Sequence, residues 1–349
     1  MRLKVGKSAA FAAHDDNNFS KENLMKMSRP FPLKVTLGAA LLSVTALALS
    51  PLALAAEGKS SDRSIAILVN SLDNPYYAAE ANAAREQAQE LGYQAQVLSH
   101  QEDVNRQREL ISSVVAQGAD GIVLDNADSS ASVAAVRYAT EKDVPVVLIN
   151  REIPEDGIAI AQLSHNNVQA ASQVAQRFVE QVGEKGKYVE LTCNLADNNC
   201  VTRSQAFHRV LDQYPDLQMV ARQDAGGELL RAKQAMDSIL QEHPDINGVV
   251  SGNGPVALGA IASLKAANKQ GVTVVGIDGS NDERNAVRSG DLYATSMLQA
   301  QELARQGVRE LDQYLETGST GQPERQLFRG ILITDDNAKC VQDFEYQCQ

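Results

Sequence analysis

Short apolar runs alternate with longer helical segments along this chain from Ser64 onward. The apolar runs are rich in β-branched residues and end in turns containing Gly, Asn or Asp, which predicts strands at 64–70, 94–98, 120–124, 145–150, 187–192, 217–223, 247–250 and 272–277. Segments rich in Ala, Gln and Glu lie between them and predict helices such as Tyr77–Leu91 and Val104–Gln117. This alternation is typical of α/β proteins in which helices cover both faces of a parallel sheet.

The predicted units fall into two groups, and 349 residues are enough for two domains of ordinary size. We therefore predict two doubly wound parallel-sheet lobes with a ligand cleft between them. The pattern breaks near 158–167, near 292–298 and before Phe328, where the chain is expected to cross between lobes. The predicted N-terminal lobe comprises 56–164 and 299–328, and the predicted C-terminal lobe comprises 165–298 and 329–349. Two lobes joined by three crossings of the chain are suited to hinge closure.

The first 55 residues have the pattern of a leader and signal peptide. Basic residues between Met27 and Lys34 precede an apolar run, and Ala53-Leu54-Ala55 matches an A-x-A cleavage site. An uncleaved membrane anchor is the alternative, although the small residues and Pro51 favour cleavage. We expect an exported protein cleaved near Ala55.

Charge and cysteine content narrow the class of protein further. The chain has 32 basic and 44 acidic residues, a net charge of −12, whereas a nucleic-acid-binding protein needs a basic surface. Four cysteines in an exported protein predict two disulfides, and three pairings are possible. We predict the local pairing, Cys193 with Cys200 and Cys340 with Cys348. A metal site is disfavoured because no histidine lies near either pair.

Polar side chains follow most of the predicted strands. In open parallel sheets ligands bind beyond the carboxyl ends of the strands, so these side chains are candidate ligand-binding residues. Their amides, carboxylates and guanidinium groups match the paired donors and acceptors of sugar hydroxyls. The alternative is that Asn and Asp at such positions cap the next helix. The candidates are Asn74, Tyr76, Tyr77, Asp125, Asn126, Asn150, Arg151, Asn199, Asn253 and Asp278.

Six motifs together resemble the type I periplasmic sugar-binding proteins of ABC importers, in particular the ribose-binding group. They are SLDNPYY at 71–77, INR at 149–151, SHNN at 164–167, TRSQAF at 202–207, GNGPVALGA at 252–260 and VGIDGS at 275–280. The resemblance implies a monomeric, non-enzymatic carrier in the periplasm that binds a small sugar or polyol without cofactor or metal. It implies an importer permease as partner, with a chemoreceptor as a further candidate. It adds Ser164, Asn166, Arg203 and Gln299 to the ligand-binding candidates, with Gln299 displaced by one residue from the family position.

Several departures from the family pattern concern the ligand. Gly226 and Gly227 stand where an aromatic residue of the second lobe is expected, and Ile277 stands where another would precede Asp278. Asn150 replaces a common Asp, and the CNLADNNC loop at 193–200 replaces small residues. We therefore expect Tyr76 and Tyr77 to form the main aromatic surface of the pocket. Ribose, another pentose, a polyol and a furanose-like signal molecule all remain candidate ligands.

Other functions have weaker support. Gly252 to Ala257 matches G-x-G-x-x-A after a strand, and Asp278 follows the next strand, as in a dinucleotide-binding enzyme. Against this, the strand–turn–helix unit that carries the motif is the third of its lobe, whereas a dinucleotide-binding fingerprint lies in the first such unit. The sequence has no G-x-S-x-G for a hydrolase, and an export signal stands where a repressor would have its helix-turn-helix.

Overall fold

The structure is a computed structural model and describes residues 63–348; the predicted leader, 1–55, lies outside this range. The first part of the chain runs β1 (Ser64–Val69), α1 (Pro75–Glu90), β2 (Gln94–Ser99), α2 (Val104–Ala116), β3 (Gly121–Leu124), α3 (Val133–Thr140), β4 (Val146–Asn150) and β5 (Ala161–His165). The second part runs α4 (Asn167–Val182), β6 (Lys185–Thr192), α5 (Asn198–Leu211), β7 (Asp216–Asp224), α6 (Leu229–Glu242), β8 (Gly248–Ser251), α7 (Gly254–Ala266), β9 (Thr273–Asp278), α8 (Asn281–Ser289) and β10 (Ala294–Met297). The last part has α9 (Ala300–Thr317), β11 (Arg325–Phe328), β12 (Ile331–Ile333), a short 3-10 turn (Ala338–Cys340), β13 (Val341–Gln342) and β14 (Glu345–Tyr346).

Two six-stranded sheets form two lobes, which confirms the predicted α/β fold. The first sheet has the order β11-β5-β4-β3-β1-β2 and is parallel throughout. The second has the order β12-β10-β9-β8-β6-β7, and only its edge strand β12 runs antiparallel to its neighbour. The central strands are buried on both faces, as Ile67, Leu68 and Val69 of β1 show, because helices pack on either side of each sheet.

Six strands, β5 and β10 to β14, were not among the strands predicted from the apolar pattern. They are short, and β5 reads Ala-Gln-Leu-Ser-His, although it is buried along its whole length. Gln162 is accommodated in this buried strand by hydrogen bonds: its Oε1 accepts from the Ile153 amide at 3.0 Å, and its Nε2 donates to Glu324 at 2.8 Å. Ala161 to Ser164 alternate between apolar and polar residues, but β5 is only five residues long and contains no β-branched residue, so it lacks the apolar, β-branched run by which the other strands were predicted.

The chain passes between the two sheets at three places that lie side by side. After β5, the Asn166 amide donates to the carbonyl of Phe328, at 2.7 Å, and Gln299 Nε2 donates to the carbonyl of Arg329, at 3.0 Å. Gly330 N donates to Gln169 Oε1, at 2.9 Å. These crossings form one hydrogen-bonded hinge region. The lobe boundaries at 164, 298 and 328 stay predictions.

Both predicted disulfides are confirmed. Cys193 pairs with Cys200, and Cys340 pairs with Cys348, with Cα separations of 5.5 and 5.1 Å. The first closes the loop between β6 and α5, and the second closes the hairpin of β13 and β14. Within residues 63–348, no helix is long and apolar enough to cross a membrane, and no cluster of His, Cys, Asp and Glu side chains is arranged to hold a metal ion.

Candidate functional site

A cavity of about 820 Å³ lies where the carboxyl ends of the two sheets face each other. A cleft at this position is where ligands bind in doubly wound folds. Nine of the fourteen predicted ligand-binding residues line it: Asn74, Tyr76, Tyr77, Asn150, Arg151, Asn199, Arg203, Asn253 and Asp278. The set combines carboxylate, amide, phenol and guanidinium groups from both lobes.

The start of α1 forms one wall of the cavity. Asn74 is the N-cap, and its Oδ1 accepts a hydrogen bond from the Tyr76 amide at 3.0 Å. Pro75 is the first helical residue, a position where its missing N–H costs nothing. Asn74 therefore uses its side-chain oxygen in capping, and as a cavity-lining residue it has its Nδ2 as the remaining side-chain donor.

Tyr76 is almost fully buried and fixed by three neighbours. Its hydroxyl lies 2.8 Å from His165 Nε2, and its ring packs edge-on against those of Tyr77 and Phe344, each at 5.6 Å. Burial raises the pKa of the Tyr76 phenol well above its ordinary value, and burial also lowers the pKa of His165 to about 3. Both groups are therefore neutral at physiological pH, and the phenol can donate to the imidazole.

Arg151 is the centre of a buried charge cluster. Its Nη2 donates to the Tyr77 hydroxyl at 2.7 Å and to Glu102 at 3.1 Å, and its Nε lies 3.0 Å from Asp197. Its Nη1 donates to the carbonyl of Asn126 at 3.1 Å. The Arg151 side chain is only 1% exposed. The nearby anions hold the guanidinium charged despite its burial. Removing Arg151 would leave buried carboxylates without a counter-charge.

Glu80 and Asp125 form a carboxyl pair behind this cluster. Burial raises the pKa of Glu80 well above its usual range and that of Asp125 to about 7; the charge of Asp125 adds to the Glu80 shift, whereas Arg151 opposes the Asp125 shift. A buried pair of neighbouring carboxyl groups favours holding one proton between them. We assign it to Glu80, because Asp125 accepts from Asn150 Nδ2 at 2.9 Å and lies 3.8 Å from Arg151 Nε.

The second lobe contributes an arginine–aspartate pair. Arg203 Nε donates to Asn167 Oδ1 at 2.7 Å, and Arg203 Nη1 donates to the carbonyl of Gly252 at 3.0 Å and lies 3.5 Å from Asp278. Burial raises the pKa of Asp278 to about 6, while Arg203 acts in the opposite direction. Because the Arg203–Asp278 distance is long for an ion pair, both side chains retain capacity to bind polar groups in the cavity.

The GNGPVA turn at the start of α7 does not offer an anion site. Asn253 Oδ1 accepts from the Val256 amide at 3.2 Å, and the Gly254 amide donates to Asp278 Oδ2 at 3.1 Å. The helix N-terminus thus already holds a carboxylate of the protein itself, in the place where a dinucleotide would put its pyrophosphate. The dinucleotide alternative has no support in this geometry.

The disulfide loop 193–200 reaches across the cavity to the first lobe at three points. Asn194 Nδ2 donates to Glu102 at 2.8 Å, and Asp197 pairs with Arg151. Asn199 Nδ2 lies 3.2 Å from the side-chain oxygen and the carbonyl of Asn150. These contacts exist only while the two lobes are close together, so they stabilise a closed cleft.

Five predicted residues lie outside the cavity wall. Asp125 belongs to the carboxyl pair, Asn126 Nδ2 donates to the carbonyl of Arg151 at 2.8 Å, and Ser164 is buried in β5 in register with Asn150. The other two, Asn166 and Gln299, lie at the crossings, where Asn166 Oδ1 accepts from the Gln169 amide at 3.0 Å and caps α4. The buried residues support the site from behind, and a direct role of any of the five in ligand binding stays a prediction.

The cavity-lining residues that were not predicted to bind ligand include Glu102, Asp197 and Phe344. Glu102 follows β2, and the rule applied to the other strand ends would have selected it. Asp197 lies in the CNLADNNC loop, which differs from the family pattern, but no role was predicted for the Asp197 carboxylate. Phe344 lies far along the chain in the C-terminal hairpin, where the sequence has no local signal. The tyrosines are therefore not the sole aromatic side chains of the cavity.

Fold and site together define a two-lobed protein that encloses a small polar ligand. The family model described as a periplasmic binding protein domain matches residues 65–320, and the chain belongs to this family. It is 47% identical over 274 residues to a D-apiose import binding protein of Paraburkholderia graminis, covering 78% of this chain and 88% of the relative. It is 46% identical to a D-apiose import binding protein of Actinobacillus succinogenes, covering 80% and 91%.

More distant relatives agree on the class of protein. A ribose import binding protein of Escherichia coli is 28% identical over 78% of this chain and 91% of the relative. Among solved structures, a galactofuranose binding protein superposes with a TM-score of 0.76 at 21% identity, covering 79% of this chain and 96% of that one. A Bacillus halodurans solute binding protein with bound myo-inositol has a TM-score of 0.75 at 20% identity, covering 81% and 98%. The sequence relatives confirm the predicted family, and the solved structures confirm the predicted fold; neither supports the enzyme and signal-receptor alternatives.

Proposed function

We propose that this protein binds a free five-carbon sugar in the periplasm, with D-apiose as the first candidate, and delivers it to the permease of an ABC importer. The observation that carries the proposal is the contrast between 46–47% identity to two D-apiose import binding proteins and 28% to a ribose import binding protein. The predicted signal peptide would direct the export, with cleavage near Ala55.

The cavity chemistry supports a polyhydroxylated ligand. Asn74 and Asn253 contribute amides, Asp278 contributes a carboxylate, and Arg203 contributes a guanidinium, so donors and acceptors come from both lobes. Hydroxyl groups donate and accept at once and can use both kinds of partner. A ligand held by both lobes stabilises the closed form by its differential affinity for that form. The role is that of a carrier, and a permease would recognise the closed lobes.

A ligand panel tests the proposal directly. The chain from Ala56 onward would be titrated by calorimetry and thermal melting with D-apiose, D-ribose, xylitol, myo-inositol and NAD. A ligand at 100 times its dissociation constant stabilises the folded state by about 2.7 kcal/mol, so binding should raise the melting temperature visibly. We expect the largest rise with D-apiose. A larger rise with ribose or a polyol would refute the D-apiose assignment, and a response to NAD alone would refute the carrier role.

A pair of isosteric variants tests the position of the site. Asp278→Asn removes the carboxylate that faces Arg203 and the Gly254 amide, and it should weaken sugar binding at least 10-fold, since hydrogen bonds to charged groups contribute about 1.5–3 kcal/mol. Asp216→Asn changes an exposed aspartate at the amino end of β7, away from the cavity, and should bind as the wild type does. Equal affinities in the two variants would place the ligand elsewhere.

A further inference from the structure

The C-terminal hairpin is a compact structure held by its own disulfide. β13 and β14 are antiparallel, with Val341 opposite Tyr346, and the Cys340–Cys348 disulfide closes the hairpin at its base. The two turn residues, Asp343 and Phe344, have φ values of +49° and +63°. Two-residue hairpin turns commonly have both central residues at positive φ, in the left-handed backbone region. This conformation costs free energy for residues other than glycine. The surrounding contacts must therefore hold Phe344 in place.

One set of these contacts comes from α8, which packs on β10 of the second sheet. Asn281 Oδ1 accepts from the Asp343 amide at 3.0 Å, and Asn281 Nδ2 donates back to the Asp343 carboxylate. Arg284 Nη1 donates to the carbonyl of Val341 at 2.9 Å. The hairpin is thereby attached to the second lobe.

The other set comes from α9, which packs on β3, β4 and β5 of the first sheet. Gln301 Nε2 donates to the carbonyl of Asp343 at 2.5 Å, and Arg305 pairs with Glu345 at 2.6 Å. The hairpin thus contacts both lobes beside the cavity, and its turn is fixed by hydrogen bonds from each side.

These contacts direct Phe344 into the cavity wall. The residue is 3% exposed, and its ring meets that of Tyr76 edge-on, at 5.6 Å and 82°. Phe344 belongs to the same apolar cluster as Ile277, the residue that stands where an aromatic was expected before Asp278. The hairpin lies beyond residue 320, the end of the family match.

We propose that Phe344 is a specificity-determining residue of the ligand site, positioned by the disulfide-closed hairpin. With Tyr76 it forms an apolar wall that takes the C–H face of the sugar, while the polar groups opposite take the hydroxyls. Aromatic faces and edges favour such contacts, which depend on the placement of each C–H group and so differ between sugars. The inference rests on the proposed function and adds to it a residue outside the matched part of the chain.

The test compares affinities of the 56–349 chain and its variants for D-apiose, D-ribose and xylitol. Phe344→Ala should weaken binding of the preferred sugar about 10-fold or more and change the ratio of affinities among the three, and Phe344→Leu should lose less. Cys340→Ser/Cys348→Ser should weaken binding in the same direction, and combining it with Phe344→Ala should add little, because both act through one ring. Tyr138→Ala removes an exposed ring from α3 and should leave affinity and selectivity unchanged.

The outcomes separate this inference from the function on which it rests. Binding of a sugar by the wild type, with unchanged affinities and ratios in both Phe344 variants, overturns the role of Phe344 alone. A uniform loss for all three sugars, with unchanged ratios, overturns specificity and leaves Phe344 a structural residue. Failure of the wild type to bind any sugar overturns the proposed function and this inference with it. If Phe344→Ala does not fold, the affinities and affinity ratios of Phe344→Leu and of Cys340→Ser/Cys348→Ser test the role of Phe344 in the same way.

Discussion

Asp197 joins the two lobes through its ion pair with Arg151, and Asp197→Asn is a small change that removes the charge of this pair. Asp197 Oδ2 lies 3.0 Å from Arg151 Nε, while Asp197 Oδ1 accepts from the Asn199 amide at 2.8 Å and caps α5. Asparagine caps helices as well as aspartate does, so α5 should keep its start. The substituted amide then faces Arg151 with a donor instead of a carboxylate oxygen.

The size of the effect follows from the distances. Two unit charges 3.0 Å apart attract by about 5.5 kcal/mol at an effective dielectric constant of 20. The net loss is smaller because Arg151 keeps Glu102 at 3.1 Å and Asp125 at 3.8 Å. Hydrogen bonds to charged groups contribute about 1.5–3 kcal/mol, and about 2 kcal/mol corresponds to roughly 30-fold in an equilibrium constant. Since the Asp197–Arg151 pair forms only when the lobes meet, its loss destabilises the closed form relative to the open form. Ligand affinity therefore falls as well.

Calorimetry with the sugar that binds the wild type measures the effect. Asp197→Asn should raise the dissociation constant about 30-fold, while Asp216→Asn, an exposed carboxylate-to-amide change in the same lobe, should leave it unaltered. X-ray scattering of both variants at saturating sugar should give the same radius of gyration, because enough ligand still closes the cleft. An affinity within twofold of the wild type for Asp197→Asn would refute the argument that the cross-cleft pair stabilises closure.

Three further predictions concern stability. Burial, with the charge of Asp278 second, raises the pKa of Glu283 to about 8, so the folded protein holds a proton that the unfolded chain releases above about pH 5. The melting temperature should therefore fall as pH rises from 6.5 to 8.5, and Glu283→Gln should flatten this slope; an equal slope in the variant would contradict the assignment. Gly248→Ala should destabilise the protein by about 1–3 kcal/mol in urea unfolding, because the added Cβ would lie 2.3 Å from the Phe178 ring, and a neutral result would show that the ring can move. Cys193→Ser/Cys200→Ser should lower the unfolding free energy by about 2–3 kcal/mol, and an unchanged value would show that the loop needs no covalent constraint.

Much of the fold and part of the candidate site could be predicted from short-range patterns in the sequence. Alternating apolar and helical segments predicted both sheets, since parallel strands buried on two faces must be apolar and must be joined by helices. The rule that ligands meet strand ends then selected residues such as Asn74, Arg151 and Asp278, which line the cavity. The local cysteine pairs were also predicted, because their members are seven and eight positions apart in sequence and such short loops close easily.

The tertiary structure alone decided how these side chains are used. Arg151 acquires its partners from Tyr77, Glu102, Asp125 and Asp197, which lie on four separate segments, and its burial makes their arrangement a property of the whole lobe pair. Phe344 reaches the cavity through a hairpin anchored to both lobes. Local sequence patterns report which face of an element is apolar, whereas the meeting of distant side chains depends on packing that no single segment encodes.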